Sequence, residues 1–164
     1  MKRRVSIFGV TGSIGQNTLD LLRRDPTAYH VVALSGGRNI TQLAKDAREF
    51  SPEVVITAFE NLLPELKVAM AGSSVSVQAG AEAIGRAAER PADWIMSCIV
   101  GVAGLKPSLN AVRQGTTLAL ANKESLVAAG PILMKESRRH GATILPVDSE
   151  HSAIFQCIGG ADKA

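Results

Sequence analysis

The chain has 164 residues, a formal net charge of +3, 46% hydrophobic residues and only 4% aromatic residues. A chain of this length can bury about 70% of its unfolded surface, so a core can form without disulfides or metal staples. The lysines and arginines are scattered with no aromatic platform beside them, which argues against a nucleic-acid-binding protein. The longest nearly apolar stretch, residues 94–105, is too short and too interrupted to span a membrane. Cys98 and Cys157 are expected to be free thiols in a reducing cytoplasm.

Apolar runs and helical spacings alternate along the whole chain. Buried strands are predicted at 5–8, 30–34, 53–57, 94–100, 116–121 and 143–147, and the alternation at 74–78 is compatible with one more short strand. Helices are predicted at 16–22, 40–50, 58–71, 81–90, 107–114 and 123–140, and Pro131 should interrupt the last of them. This order predicts an α/β fold: a doubly wound, mostly parallel sheet with helices on both faces, of the Rossmann-like type that binds ligands at the carboxyl ends of its strands.

The stretch Gly9-Val10-Thr11-Gly12-Ser13-Ile14-Gly15 joins the first strand to the first helix. The unpaired amides and the partial positive charge at the start of a helix favour an anion, and a dinucleotide pyrophosphate is the natural candidate. We expect the first glycine to permit a sharp turn, the second to let the phosphates approach the backbone, and the third to allow close packing of helix on strand. Ser13 with Gln16 fits a capping box.

The second strand ends in Ser35-Gly36-Gly37-Arg38-Asn39, a segment without an acidic residue. An acid at this position would bind the ribose 2'-hydroxyl and repel a 2'-phosphate, whereas Arg38 is suited to bind phosphate. The segment therefore favours NADP over NAD, with a solvated loop arginine as the alternative. Asn39 is a plausible N-cap of the following helix.

Polar residues also follow the later strands. The turn at 99–104 has two glycines that could admit a ligand or only permit packing, and Asn122-Lys123-Glu124-Ser125 is either a polar cluster at the ligand edge or a helix cap followed by surface charge. After the last strand, Asp148 and Glu150 could ligate Mg2+ or Mn2+, with Ser149 aimed at a substrate. The same residues could instead cap a helix and occupy its first turn.

Three stretches carry a resemblance to a known family: 9–15, 119–127 (Ala-Leu-Ala-Asn-Lys-Glu-Ser-Leu-Val) and 145–156 (Leu-Pro-Val-Asp-Ser-Glu-His-Ser-Ala-Ile-Phe-Gln). Together they resemble 1-deoxy-D-xylulose 5-phosphate reductoisomerase, and the similarity runs in order through Cys157. The resemblance implies that NADPH is held by Thr11, Gly12, Ser13, Ile14, Gly36, Gly37, Arg38, Asn39, Asn122 and Glu124. It also implies a divalent cation on Asp148 and Glu150, and catalytic or substrate contacts from Lys123, Ser149 and Glu150. The family often has Lys where this chain has Arg38, a change that keeps the charge.

The resemblance further implies an activity. In this family a divalent cation (Mn2+ or Mg2+, with Co2+ as a further candidate) chelates the substrate, whose carbon skeleton rearranges, and NADPH then reduces the product to 2-C-methyl-D-erythritol 4-phosphate for isoprenoid synthesis. It implies an NADPH-binding domain over 1–147, the beginning of a catalytic domain over 148–164, and a cytoplasmic homodimer. Because the family's chain is much longer, we expect an amino-terminal fragment that binds NADPH without converting substrate.

Two other functions compete with this interpretation. Another NADPH-dependent reductase, such as a semialdehyde dehydrogenase, would need a catalytic cysteine followed by a base, and the sequence shows no such pair. A non-catalytic dinucleotide-sensing module would have no use for the paired carboxylates at 148 and 150.

Overall fold

The structure is a computed structural model that describes residues 1–147, apart from the side chain of Lys123. The strands are β1 (Arg3–Phe8), β2 (Tyr29–Gly36), β3 (Val54–Thr57), β4 (Ser76–Ala79), β5 (Trp94–Ser97), β6 (Thr117–Leu120) and β7 (Thr143–Pro146). The helices are α1 (Ser13–Arg24), α2 (Ile40–Phe50), α3 (Leu63–Ala69), α4 (Ala81–Ala87), α5 (Leu105–Arg113) and α6 (Lys123–His140). Short 3-10 helices at Glu60–Leu62 and Val102–Gly104 precede α3 and α5.

The seven strands form one sheet in the order β4-β3-β2-β1-β5-β6-β7, and every pairing is parallel. The chain moves outward from β1 in one direction through β4, then returns beside β1 with β5 and moves outward in the other direction. The order therefore reverses at β1, and such a reversal leaves a crevice at the carboxyl ends of the central strands. The predicted doubly wound fold is confirmed, and the short strand considered at 74–78 exists as β4.

Alternating side chains of the central strands divide the core between the two faces of the sheet. Val5 and Ile7 of β1 pack in one cluster with Leu19 of α1 and Leu43 of α2, whereas Phe8 packs in the opposite cluster. That second cluster includes residues of α4, α5 and α6, namely Ala83, Ile84, Ala87, Ala111, Val112 and Leu133. Each large aliphatic side chain that is fully buried in this way contributes about 1.5–3 kcal/mol of stability.

Several element boundaries differ from the predicted ones because of local backbone chemistry. The helix predicted at 58–71 begins only at Leu63, after a 3-10 turn, and Pro64 lies in its first turn, where the missing N–H has no cost. Pro131 interrupts α6 as expected, since Ala129 has non-helical dihedral angles (φ −147°, ψ 25°). No helix among residues 1–147 combines the length and the apolar character that crossing a bilayer requires.

The amino-terminal edge of the sheet carries a cluster of charges around Glu53. Its carboxylate accepts hydrogen bonds from Arg4 (2.9 Å), His30 (3.0 Å) and Arg90 (3.0 Å). Partial burial alone would raise the pKa of the Glu53 carboxyl, but these donors outweigh it and lower the pKa. The cluster joins β1 and β2 to the residue just before β3 and to the turn after α4, at the edge opposite the glycine turn.

Candidate functional site

The turn after β1 requires glycine for two reasons. Gly9 has φ +93°, and a Cβ there would lie 2.6 Å from the carbonyl oxygen of Cys98. Its N–H donates to the carbonyl (3.0 Å) and hydroxyl (3.2 Å) oxygens of Ser35, and the Val10 N–H donates to the same carbonyl (2.7 Å). The turn is therefore fixed between β2 and β5, and the sharp bend expected at Gly9 is confirmed.

The start of α1 differs from the predicted capping box. Gly12 is the N-cap, no side chain caps the helix, and Gln16 lies in the fourth helical position instead of the third. Gln16 therefore turns away from the cap and donates to the carbonyl oxygen of Val10 (3.0 Å) and to the carboxylate of Asp46 (2.7 Å). The capping-box prediction was wrong. The amides of Ser13, Ile14 and Gly15 have no acceptor among the described residues, so they remain available to an anion.

A buried polar network beneath the turn was not predicted from the sequence. The Asp46 side chain is fully buried in α2 and accepts from Gln16 (2.7 Å) and Gln42 (2.8 Å), with Arg23 at 3.8 Å. Burial raises the pKa of the Asp46 carboxyl, although the two amide donors act in the opposite direction. The sequence signal for this network was Asp46 itself, an acidic residue next to the buried Ala47 in an amphipathic helix. The network joins α1 to α2 and holds the Val10 carbonyl in the turn.

The end of β2 lies next to the glycine turn. Asn39 caps α2, since its side-chain oxygen accepts from the N–H of Gln42 (3.1 Å), as predicted. A Cβ at Gly36 would lie 3.0 Å from the methyl group of Thr11. Arg38 is exposed, and its guanidinium carbon lies 4.1 Å from the centroid of the Phe59 ring.

The segment after β3 also holds the end of β2 in place, although no motif in the sequence indicated this. The Thr57 hydroxyl donates to the carbonyl oxygen of Gly37 (3.0 Å), and the Ala58 N–H donates to that of Gly36 (2.9 Å). Thr57 also accepts from the N–H of Phe59 (3.3 Å). The sequence signal for this segment was Thr57, a threonine at the end of an apolar strand, followed two residues later by one of the chain's four phenylalanines. Thr57 is buried in the structure.

These segments enclose a cleft of about 580 Å³ at the point where the strand order reverses. Its lining includes Gly9, Thr11, Gly12, Gly36, Gly37, Phe59, Ile99, Val100 and Lys106. An adjoining hollow of about 270 Å³ is lined in part by Ser13, Ile14, Ile99, Asn122 and Glu124. The structure thus brings eight of the ten predicted cofactor residues to the two cavities. Of the other two, Arg38 lies over the Phe59 ring that lines the cleft, and Asn39 caps α2.

Asn122 lies at the far end of this hollow and is buried. Its amide nitrogen donates to the carbonyl oxygens of Ile99 (2.6 Å) and Gly101 (2.7 Å), and its oxygen accepts from the N–H of Ser125 (3.0 Å). Both amide hydrogens are therefore committed to the glycine turn after β5, and Asn122 shapes the hollow while capping α6. Glu124 is exposed and has room to meet a ligand.

Cys98, just beyond the end of β5, borders both cavities but is not an activated nucleophile. Its thiol donates to the carbonyl oxygens of Phe8 (3.1 Å) and Gly9 (3.4 Å), and burial raises its pKa to about 12. A thiol that stays protonated at neutral pH cannot supply the thiolate that a cysteine-dependent dehydrogenase needs.

The predicted metal and substrate residues Asp148, Ser149 and Glu150 lie outside the described residues, as does the side chain of Lys123. Within residues 1–147, no group of three or more His, Cys, Asp or Glu side chains could hold a metal ion. Strand β7 brings the chain to the carboxyl edge of the sheet, where the Val147 N–H donates to the carbonyl oxygen of Leu120 (3.1 Å).

Comparison with known proteins identifies related sequences and structures. The 1-deoxy-D-xylulose 5-phosphate reductoisomerase of Jannaschia sp. (strain CCS1) is 66% identical over 163 residues, which are 99% of this chain and 42% of that protein. The enzyme of the same name from Zymomonas mobilis, solved in complex with NADPH, matches with a TM-score of 0.94 and 51% identity over 96% of this chain and 41% of its own. A reductoisomerase solved with NADPH, fosmidomycin and magnesium matches with a TM-score of 0.89 and 41% identity over 94% of this chain and 38% of its own.

The chain spans about two fifths of the length of these relatives. The family model described as 1-deoxy-D-xylulose 5-phosphate reductoisomerase matches residues 5–130, which is most of the chain. On this match, the chain belongs to the 1-deoxy-D-xylulose 5-phosphate reductoisomerase family.

Proposed function

We propose that residues 1–147 form the NADPH-binding domain of an enzyme that rearranges and reduces 1-deoxy-D-xylulose 5-phosphate to 2-C-methyl-D-erythritol 4-phosphate with the help of a divalent cation. One observation carries the proposal: the glycine turn of β1 and the Arg38 segment of β2 lie along one cleft at the reversal of strand order. We further propose that 148–164 begin a catalytic domain and that the whole enzyme is a cytoplasmic homodimer.

The residues along this cleft fit NADPH. The amides of Ser13 and Ile14 suit the pyrophosphate, and a Cβ at Gly12 would meet only the Gly9 oxygen (3.5 Å), so the position faces open space. The 2'-phosphate is assigned to Arg38, because the segment 35–39 places no carboxylate there to repel it. NADPH would supply a hydride, and the hollow beside Glu124 would hold its nicotinamide half.

Metal and substrate are assigned to residues whose contacts the structure does not describe. Asp148 and Glu150 offer hard oxygen ligands, which suit Mg2+ or Mn2+ and would also accept Co2+. Lys123, Ser149 and Glu150 are proposed to contact the sugar phosphate. The relative solved with NADPH, fosmidomycin and magnesium supports a bound metal ion and a second small molecule beside the cofactor.

The test is cofactor selectivity, measured by fluorescence titration of the 164-residue chain with NADPH and NADH. A hydrogen bond to a charged group contributes about 1.5–3 kcal/mol, so Arg38→Ala should weaken NADPH binding by roughly ten- to a hundredfold and leave NADH binding nearly unchanged. Arg24→Ala is the matched control, because Arg24 is exposed at the far end of α1 and pairs only with Asp20 among the described residues. Equal losses for both cofactors would refute the 2'-phosphate role of Arg38, and a wild-type chain that binds no NADPH would refute the proposal.

A further inference from the structure

The Arg38 side chain makes no hydrogen bond to a described residue, whereas the side chains of several other arginines do. Arg23, Arg24 and Arg113 each donate to a carboxylate, at distances between 2.6 and 2.9 Å. The Arg38 guanidinium instead lies over the ring of Phe59, and no acceptor among the described residues receives a hydrogen bond from it. Its N–H groups therefore stay available to a ligand while the ring restrains the side chain.

The backbone of Phe59 is tied by hydrogen bonds to the end of β2. The Phe59 N–H donates to Thr57, whose hydroxyl in turn donates to the carbonyl oxygen of Gly37. The ring also lies against Gly37, where a Cβ would meet its edge at 3.9 Å. The backbone of Phe59 and the backbone of Gly37, which precedes Arg38, are thus joined through Thr57.

We infer that Phe59 is a specificity-determining residue that positions the Arg38 guanidinium for the 2'-phosphate, an inference that rests on the proposed NADPH function. A guanidinium attracted to an aromatic face keeps its five donors, because they lie in its own plane. The ring restricts the freedom of a long, exposed side chain before the cofactor arrives, so less entropy is lost on binding. Phe59 should therefore affect the binding of NADPH and not that of NADH, because NADH lacks the 2'-phosphate that Arg38 would bind.

The size of the effect follows from the exposure of Arg38 to solvent. A cation–π contact at an exposed site corresponds to about a two- to fivefold change in an equilibrium constant. Phe59→Leu keeps an apolar side chain but removes the π face, so it should weaken NADPH binding by about two- to fivefold and leave NADH binding unchanged. Phe59→Tyr keeps the ring and should keep the wild-type ratio of NADPH to NADH affinity.

The test is a double-mutant cycle in the 164-residue chain, with both cofactors titrated by fluorescence and thermal melting used to confirm folding. In an Arg38→Ala background, Phe59→Leu should cause no further loss of NADPH affinity, because the group that it positions is gone. Phe50→Leu is the matched control. Phe50 carries a similar contact with Arg23 (5.3 Å), but at the end of α2, away from the cleft, so its loss should not change cofactor selectivity. Should Phe59→Leu fail to fold, Phe59→Met makes the same comparison.

The outcomes separate this inference from the proposed function. If the wild-type chain prefers NADPH but Phe59→Leu leaves the preference intact, only the inference is overturned. Equal weakening of NADPH and NADH would overturn it too, because the ring would then act on a part that both cofactors share. A wild-type chain that binds NADPH without preferring it to NADH would overturn the 2'-phosphate role of Arg38 and the inference with it, and one that binds no NADPH would overturn the proposed function as well.

Discussion

The packing of α1 against the glycine turn can be tested by adding a single methyl group. In Gly15→Ala the new Cβ would lie 2.5 Å from the α-carbon and the carbonyl oxygen of Val10 and 2.6 Å from the carbonyl oxygen of Gly9. These atoms belong to the backbone of a turn that is hydrogen-bonded to β2, so they cannot move aside as a flexible side chain would. The helix must instead move away from the turn by about 1 Å to restore ordinary contact distances.

The expected loss of stability follows from two opposing effects. Overpacking costs about 1–3 kcal/mol, and a clash with backbone atoms that cannot move aside places this substitution near the upper value, whereas Ala is better than Gly inside a helix by about 1 kcal/mol. We therefore expect the free energy of unfolding to fall by about 2 kcal/mol and Tm to fall by roughly 4–8 °C. Thermal melting followed by circular dichroism, together with urea unfolding, would measure both values.

Two other glycines provide matched controls for the same chemical change. A Cβ at Gly12 would lie 3.5 Å from the Gly9 oxygen, an ordinary contact, so Gly12→Ala should cost at most about 1 kcal/mol for the weaker N-cap. Its methyl group would stand before the first amides of α1, and binding of NADPH and NADH should weaken equally, by about tenfold or more. In Gly85→Ala, inside α4, the Cβ would lie 3.4 Å from the flexible Lys106 side chain, an ordinary contact, so this substitution should keep or raise Tm. A wild-type Tm for Gly15→Ala would show that the packing argument is wrong.

Three further predictions concern other parts of the chain. Because folding lowers the pKa of Glu53, its contribution to stability is fully present above pH 4.5 and is lost as the pH falls through the lowered value. Glu53→Gln should therefore lower the free energy of unfolding in urea by about 1 kcal/mol at pH 7, and the difference from wild type should disappear in acid. In a Cys157→Ser background, Cys98 should react with a disulfide reagent at least about a hundredfold more slowly in the folded chain than in the urea-unfolded chain, and equal rates would contradict its raised pKa. Residues 1–164 alone, given NADPH, Mn2+ and 1-deoxy-D-xylulose 5-phosphate, should show no substrate-dependent NADPH oxidation, because the two proposed carboxylate ligands, Asp148 and Glu150, would leave most of a six-oxygen metal shell to water. Any such oxidation would refute this expectation.

Local sequence signals determined most of the fold. The alternation of apolar runs with helical spacings predicted the parallel sheet and its helices, since each pattern reports which faces of a segment are buried. Gly9 and Asn39 were predicted correctly because a positive φ and an N-cap depend on neighbours within a few residues. The interruption near Pro131 was equally predictable, because the missing N–H acts at a fixed distance along the helix.

Only the tertiary structure decided which distant side chains meet. Gln16 bonds with Asp46 instead of capping its own helix, because α1 and α2 pack side by side on one face of the sheet. Phe59 reaches Arg38 because β3 pairs with β2, and neither residue's local sequence contains that pairing. Asn122 was predicted either to lie at the ligand edge or to cap a helix; it caps α6, and the pairing of β5 with β6 also brings its amide nitrogen to the carbonyl oxygens of Ile99 and Gly101. Each of these contacts depends on the order of strands in the sheet, which long-range packing fixes and local spacing does not encode.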